Sequence, residues 1–160
     1  MKKQKGFSLI ELLIVVAIIL IIAAIAIPNL LRSKMAANES SAVGSLRTIN
    51  TAEVTYANNN PTVGYGPLAN LGGVCVSGTA ATVGAACLID NVLATGTKSG
   101  YTFTAVPTAP GAGTVSVAYK STATPVSVNQ SGTRTFCSDE SGVIYASINA
   151  GACVQGTNPL

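Results

Sequence analysis

The chain has no histidine and no tryptophan, and charged residues make up only 9% of its 160 residues, whereas soluble domains average about 25%. After residue 60 the only acidic side chains are Asp90, Asp139 and Glu140. Catalytic dyads and triads that require histidine are therefore excluded, and three scattered acids are a poor basis for paired-carboxylate catalysis. We predict that the chain is not an enzyme, with no catalytic residue and no cofactor.

The formal net charge of +3 does not describe a basic surface. Lys2, Lys3 and Lys5 all lie within the first five positions, and the remaining six of the nine basic side chains are balanced by the six acidic ones. Nucleic-acid-binding proteins carry a clustered basic patch or stripe, which this sequence lacks. No specific nucleic-acid site is therefore predicted.

The four cysteines, Cys75, Cys87, Cys137 and Cys153, form no CxxC motif. Without histidine, a zinc site would need all four as ligands at unusual spacings, so no metal site is predicted. In a secreted chain an even number indicates two disulfides, with three possible pairings. We favour the local pairing of Cys75 with Cys87 and of Cys137 with Cys153, each contributing about 3 kcal/mol. Other pairings and reduced thiols stay open at this point. Disulfides would place this part of the chain in an oxidising compartment.

A long apolar run follows the short basic start of the chain. It covers 21 residues, from 7 to 27, and is interrupted only by Ser8 and Glu11. As a helix it would measure about 30 Å, which is the thickness of the hydrocarbon core of a bilayer. The preceding lysines predict a cytoplasmic N-terminus, with the rest of the chain on the other side of the membrane.

Three interpretations of this run compete. A cleaved secretory signal would use the small residues around Ala24 and Ala26, but the run is longer than the usual 7–15 apolar residues. A plain signal anchor explains the length and leaves Glu11 unexplained. A carboxylate in a spanning helix costs about 2.5–3.5 kcal/mol on insertion scales, so it indicates a function.

The third interpretation accounts for Glu11. The sequence GFSLIELLIVVAI, residues 6–18, resembles the class III signal of type IV prepilins and type II secretion pseudopilins. The resemblance implies that a prepilin peptidase/methyltransferase cuts between Gly6 and Phe7, removes residues 1–6 as a leader and methylates the new amine of Phe7. Glu11 matches the acidic position of the family. Its carboxylate would pair with the Phe7 amine of a neighbouring subunit and set the register of assembly. The match is specific from Gly6 to about Pro28 and architectural beyond it.

The apolar segment, residues 7–28, and the amphipathic segment, residues 29–57, are predicted to form one long helix. Pro28 removes a backbone hydrogen bond, so we expect a kink or a locally melted turn there; the alternative is that the helix stops. A stop signal of three asparagines and a proline begins at residue 58. Apolar side chains recur at steps of three, four or seven and form a stripe that should face a head domain: Leu31, Met35, Ala42, Leu46, Ile49 and Glu53/Val54.

The remaining sequence predicts a small antiparallel sheet. Residues 58–98 are predicted to be a surface connection with one helical turn near residues 88–93. Alternating β-branched and aromatic residues predict strands at 101–106, 114–119, 133–137 and 143–147, with a weaker edge segment at 125–128. Three or four such strands in residues 99–160, packed on the helical stripe, give an α+β head that spans residues 29–160 and is stapled by disulfides. In this arrangement the Cys137–Cys153 pair resembles the pilin loop that a terminal disulfide fastens to the sheet.

One acidic turn in the sheet region was considered as an ion site. Asp139 and Glu140 lie between the last two predicted strands and could offer oxygens to Ca²⁺, but two adjacent acids are far short of a full ligand set. A solvated turn is therefore the prediction.

Together these features predict a structural subunit of a type IV pilus that polymerises through its apolar helix. The resemblance implies an inner-membrane precursor and then an extracellular filament, with further copies of the chain, prepilin peptidase and the pilus assembly machinery as partners. Two alternatives stay open. One is the major pseudopilin of a type II secretion system, and the other is a membrane-anchored binding module that never polymerises.

Overall fold

The computed structural model describes residues 7–73, 81–109, 115–148, 151, 153 and 159–160. These residues confirm the α+β class. The chain separates into two compact units, residues 1–34 and 35–160, which are described in turn. The helices and strands are, in chain order, α1 (Leu9–Asn59), α2 (Leu68–Leu71), α3 (Asn91–Ala94), β1 (Thr97–Lys98), β2 (Tyr101–Thr108), β3 (Ala118–Pro125), β4 (Arg134–Asp139) and β5 (Ile144–Ile148).

In the first unit, the described residues are almost entirely the apolar start of α1. The helix passes through Pro28 without interruption, so the alternative of a helix stop is wrong, and so is the expectation of a melted turn. One proline removes a single backbone hydrogen bond, which the long uninterrupted helical sequence on either side tolerates. A bend at Pro28 stays a prediction.

In the second unit, α1 packs one face against the sheet. Ala42, Leu46 and Ile49 are fully buried, as the stripe predicted. Farther along, the buried face continues through Glu53 and Tyr56, because a period of 3.6 residues turns those positions inwards. Val54, another member of the predicted stripe, is exposed because it lies off this buried face. Leu31, which belongs to the first unit, is exposed as well.

The helix ends slightly later than predicted. α1 includes Asn59, and Asn60 then closes the end, because both its backbone N–H and its side-chain amide donate to the carbonyl of Tyr56 at 2.9 and 3.0 Å. A side chain that satisfies a free carbonyl of the last turn stabilises the end of a helix. The helix therefore stops at the predicted signal, but its last residue lies two positions later than predicted.

Within the described residues, the sheet has five antiparallel strands in the order β1-β2-β3-β4-β5, against three or four predicted. The additional strand, β1, has only two residues and is too short to show alternation in a sequence. Ser99 and Gly100, both with positive φ, turn it back into β2. Such paired positive φ values are typical of tight two-residue hairpins.

Two predicted strands are wrong in position. The prediction at residues 114–119 begins too early, since β3 covers Ala118–Pro125; Thr114 itself lies outside the described residues. The edge segment at 125–128 does not form, because β3 ends at Pro125 and Val126 is exposed in the following turn. In the observed register Phe103 pairs with Ala123. Ala123 is fully buried, but alanine gives no strong strand signal in a sequence.

The prediction of a surface connection at residues 58–98 is also wrong. The segment forms α2 and α3, and it contributes Leu68, Leu71 and Leu93 to the core. The predicted helical turn is α3, whose start is capped by Asp90 through a hydrogen bond from the Leu93 N–H at 2.8 Å. Apolar residues spaced widely among glycine and alanine did not predict burial, because α2 and α3 have four residues each, too few for a helical period.

The Cys137–Cys153 disulfide is present, with 5.9 Å between the Cα atoms. It lies beside β5, an outer strand of the sheet, where Leu160 donates its N–H to the carbonyl of Ile144 at 2.9 Å. Covering an outer strand in this way prevents it from pairing with another chain. Cys75 lies outside the described residues, so the pairing of Cys75 with Cys87 stays a prediction.

Candidate assembly site at the start of the apolar helix

The first turn of α1 is organised around Glu11. Ser8 precedes the helix, and its backbone N–H donates to Oε2 of Glu11 at 3.0 Å. A glutamate at the third helical position that accepts the N–H of the residue just before the helix forms one half of a capping box. Within a single chain, Glu11 therefore satisfies a backbone group that the helix leaves free.

This contact was missed in the sequence analysis, although its signal was there. Ser8, two apolar residues and Glu11 fit the pattern S-x-x-E that marks the start of many helices. The sequence alone predicts for Glu11 only a pair between subunits. The two roles are compatible, because a carboxylate has about four acceptor positions on its two oxygens and the contact with Ser8 uses one of them.

The surroundings of Glu11 are apolar and exposed. Phe7 is 80% exposed, and the neighbouring Leu12 and Leu13 are more than half exposed. A carboxylate that lies in water next to such side chains costs little, but the same group covered by apolar atoms must find a cationic or hydrogen-bonding partner. The site can therefore accept a cation such as an amine once its surface is covered. Gly6, at the proposed cleavage position, lies outside the described residues.

The exposed apolar surface continues along α1 to Leu31. By length and composition, α1 is a helix that could cross a membrane. The apolar part is followed by Arg32 and Lys34, which are exposed and suited to the polar boundary of a bilayer. Surfaces this large and apolar are covered by lipid or by protein. The exposed large side chains of this surface are Phe7, Leu9, Ile10, Leu12, Leu13, Ile14, Val15, Val16, Ile18, Ile19, Leu20, Ile21, Ile22, Ile25, Ile27, Leu30 and Leu31.

In the acidic turn between β4 and β5, Asp139 forms hydrogen bonds within the turn itself. Asp139 accepts hydrogen bonds from the backbone N–H of Ser141 at 2.9 Å and from its hydroxyl group. This is the usual way in which an aspartate stabilises a tight turn. Among the described residues there is no group of three or more metal-ligating side chains.

Sequence reasoning missed the polar contacts that join α1 to the sheet. The carboxylate of Glu39 accepts from the Arg134 guanidinium at 2.8 Å and from the Thr133 N–H at 2.8 Å. Burial raises the pKa of Glu39, but the hydrogen bonds from Thr133 and Arg134 outweigh it and hold the pKa below its ordinary value. Buried polar groups need such partners, and sequence periodicity alone does not name them.

A second polar contact lies farther along α1. The side-chain amide of Asn50 donates to the hydroxyl of Ser138 at 2.7 Å, and its oxygen accepts from the hydroxyl of Tyr119 at 3.1 Å. These bonds tie the helix to β3 and β4 at one point. They fix the position of this part of α1 on the sheet.

The comparisons with known proteins agree with this arrangement. Residues 1–27 match the family described as "Prokaryotic N-terminal methylation motif". The chain is 43% identical over 74 residues to the type IV wide pilus major component PilA4 of Thermus thermophilus, covering 45% of this chain and 56% of the relative. It is 46% identical over 54 residues to the type IV major pilin protein PilA of Myxococcus xanthus, covering 34% of this chain and 24% of the relative.

A secretion protein is similar as well. The type II secretion system core protein G of Escherichia coli is 34% identical over 67 residues, which are 40% of this chain and 46% of that protein. The chain thus spans between a quarter and just over half the length of these relatives. No solved structure matches the chain. These findings confirm the resemblance to type IV pilins and type II secretion pseudopilins.

Proposed function

We propose that the chain is a structural subunit of a type IV pilus and that it polymerises through its apolar helix. The observation that carries the proposal is the start of α1. There Glu11, which accepts the Ser8 N–H, lies in an exposed apolar surface that reaches Leu31. Such a helix is stable in lipid before assembly and in a bundle of identical helices afterwards. The names of PilA4 and PilA support a pilus.

The proposed division of the chain follows from this role. Residues 1–6 are a leader, residues 7–28 are the membrane and filament-core helix, and residues 29–160 are the head. Prepilin peptidase/methyltransferase would cut between Gly6 and Phe7 and methylate the new amine, which the match of residues 1–27 to the methylation motif supports. The precursor would lie in the inner membrane with a cytoplasmic N-terminus, and the assembled subunit in an extracellular filament. Further copies of the chain and the pilus assembly machinery are the partners.

In the filament, the carboxylate of Glu11 in one subunit would form an ion pair with the Phe7 amine of the next. An unpaired charge in an apolar bundle is costly, and a neighbouring opposite charge removes most of that cost. The pair would therefore fix the stagger between helices more than it would add to affinity. The role proposed is structural, and no step of it requires catalysis.

Intact-mass spectrometry of filaments sheared from cells tests the proposal. We expect a subunit that begins at Phe7 and carries one added methyl group, seen in filaments by electron microscopy. A mature chain that begins near Pro28 would indicate an ordinary signal peptide and would contradict both the processing and the filament.

A second candidate is the major pseudopilin of a type II secretion system, which the match to core protein G favours. Deletion of the gene distinguishes the two. Loss of surface filaments with normal protein secretion would indicate the pilus, and loss of secretion without loss of surface filaments would indicate the pseudopilus. A membrane-anchored binding module would leave both unchanged.

A further inference from the structure

Glu53 is a buried acid that forms no ion pair within the part of the chain that the structure describes. Its side chain is 0% exposed on the sheet-facing side of α1. Oε2 accepts the backbone N–H of Gly66 at 3.0 Å, and Oε1 has no hydrogen-bond partner in the described part of the chain. Acidic side chains are rarely buried so completely unless they are paired, so this position calls for a physical explanation.

The contact partner belongs to a short irregular segment, residues 63–66, which we call the Gly66 segment. Gly66 lies directly against the ring of Tyr56, because a Cβ at position 66 would come within 2.7 Å of Cε1 of that ring. Tyr65 contacts Tyr119 of β3 with 4.8 Å between ring centroids. The Glu53–Gly66 hydrogen bond joins this segment to a side chain of α1, in addition to the backbone bonds that residues 63 and 64 donate to Asn60 just after the helix.

Among the described residues, no cation pairs with Glu53. The two ion pairs of the described residues, Arg134 with Glu39 and Lys98 with Asp90, lie elsewhere. The titratable group that faces Glu53 from the sheet is Tyr119, whose pKa is raised by burial and then by the charges of Glu53, Tyr65, Asp139 and Glu140. Tyr119 stays neutral as a result and donates to Asn50 at 3.1 Å.

The electrostatic surroundings therefore consist of neutral or negative groups. Burial raises the pKa of Glu53 from 4.5 to about 7, and the hydrogen bond from Gly66 lowers it only in part. Both forms of the side chain are accessible to the folded protein in the ordinary pH range. An ionised Glu53 would be a buried charge with one hydrogen bond and no counter-ion, which is costly.

We propose that Glu53 is a proton-dependent switch: while its carboxyl group is neutral the contact with Gly66 stays closed, and loss of the proton favours an open state of that contact. The Gly66 N–H bonds the carboxylate more strongly than the neutral acid, but this one hydrogen bond offsets only part of the cost of the buried charge. The ionised group is relieved only if water reaches Oε1. Val63 and Gly64 donate their backbone N–H groups to Asn60, and Tyr65 donates to Ser116. The N–H of Gly66 donates to Glu53 instead, so the opening is confined to Gly66.

Glu39 on the same helix provides a matched control. It is also buried, with 7% exposure, but the guanidinium of Arg134 lies 2.8 Å from its carboxylate. Its charge is balanced, so its ionisation requires no opening. Replacing either acid with glutamine keeps its size and removes its proton equilibrium.

Hydrogen exchange of the Gly66 amide in the full chain, held in detergent micelles, tests the switch. After correction for intrinsic exchange, the protection of this amide should fall roughly tenfold to a hundredfold as pH rises from about 4.5 to about 7 and stay level above. Glu53→Gln should remove this dependence, whereas Glu39→Gln should keep it. Protection that is independent of pH in the unchanged protein, or that keeps its pH dependence in Glu53→Gln, would overturn the proposal.

A direct titration covers the case in which Glu53→Gln does not fold. The chemical shift of the Glu53 carboxyl carbon in the unchanged protein should titrate near pH 7. A midpoint at the ordinary value of 4.5 would contradict the switch. Neither measurement depends on filament formation, so their outcome leaves the proposed function as it stands.

Discussion

Glu11 serves two needs in one side chain. It accepts the Ser8 N–H within its own helix, and the proposed function adds the Phe7 amine of a neighbouring subunit. An N-terminal cap is typically worth about 1 kcal/mol, whereas a buried charge without a partner costs several times that amount. The charge therefore matters more than the cap once the helix is covered by other helices.

Substitutions at Glu11 separate the two needs. Glu11→Gln keeps an acceptor for the Ser8 N–H and removes the charge, and Glu11→Leu removes both. We expect both variants to insert, be processed and fold, and both to lose most filaments because the amine has lost its counter-charge. Glu11→Asp should be intermediate. Counts of sheared filaments, compared with an immunoblot of the membrane pool, measure this; normal filaments in Glu11→Gln would show that the cap alone suffices.

Glu53 makes the stability of the head depend on pH. Its pKa is about 7 in the folded chain and 4.5 without the fold, so the folded state holds an extra proton between these values. The free energy of unfolding should therefore decrease as pH rises from about 4.5 to about 7 and stay level above, by on the order of 1–3 kcal/mol in total.

Thermal unfolding of the unchanged protein and of Glu53→Gln checks this prediction. Glu53→Gln should be the more stable of the two at pH 8 and should lose the decrease between these pH values. Glu39 acts in the opposite sense, because its pKa is lowered in the folded chain. The stability that it contributes is present at pH values above its ordinary pKa and is lost on acidification. An unchanged pH profile in Glu53→Gln would contradict the assignment.

At the scale of elements, β5 depends on the chain that covers its outer edge. The disulfide between Cys137 and Cys153 and the contact of Leu160 with Ile144 hold that chain in place. Replacing both cysteines with serine should lower the free energy of unfolding by about 2–5 kcal/mol and expose the backbone of β5. Denaturant unfolding measures the loss, and size-exclusion chromatography detects the association that an uncovered strand promotes. An unchanged midpoint would mean that the covering chain is held without the bond.

Predictability differed between elements for physical reasons. Ala42, Leu46 and Ile49 were identified as a buried stripe, because helical periodicity repeats over many turns and averages out single exceptions. Strand β1 has two residues, too few for any period. The position of β3 depends on its pairing with β2, a contact between distant residues that alternation within one segment does not contain.

The candidate site was predictable where its signal is local. Glu11 is a charge in an apolar run, and such an exception is visible without a structure. The partners of Glu53 and Asn50 were not visible, since Gly66 and Ser138 are ordinary residues that folding alone brings to them.

At the scale of the whole molecule, residues 35–160 form a compact unit whose core lies between α1, α2, α3 and the sheet. We predict that residues 35–160 alone fold, form the Cys137–Cys153 disulfide and remain monomeric, because the exposed apolar surface is missing. Circular dichroism, non-reducing peptide mapping and size-exclusion chromatography check the three points. Mapping should also join the Cys75 and Cys87 peptides. Filaments formed by this fragment would contradict assembly through the apolar helix.

The strand order has a consequence for how quickly the head folds. Every pair of neighbouring strands is also consecutive along the chain, so the sheet can grow one hairpin at a time, and closing each loop costs little conformational entropy. The contacts of Glu39 and Asn50 with the sheet, by contrast, join residues 69 to 95 positions apart. We therefore expect the hairpins to form early and the seating of α1 on the sheet to be the late, rate-limiting event of folding.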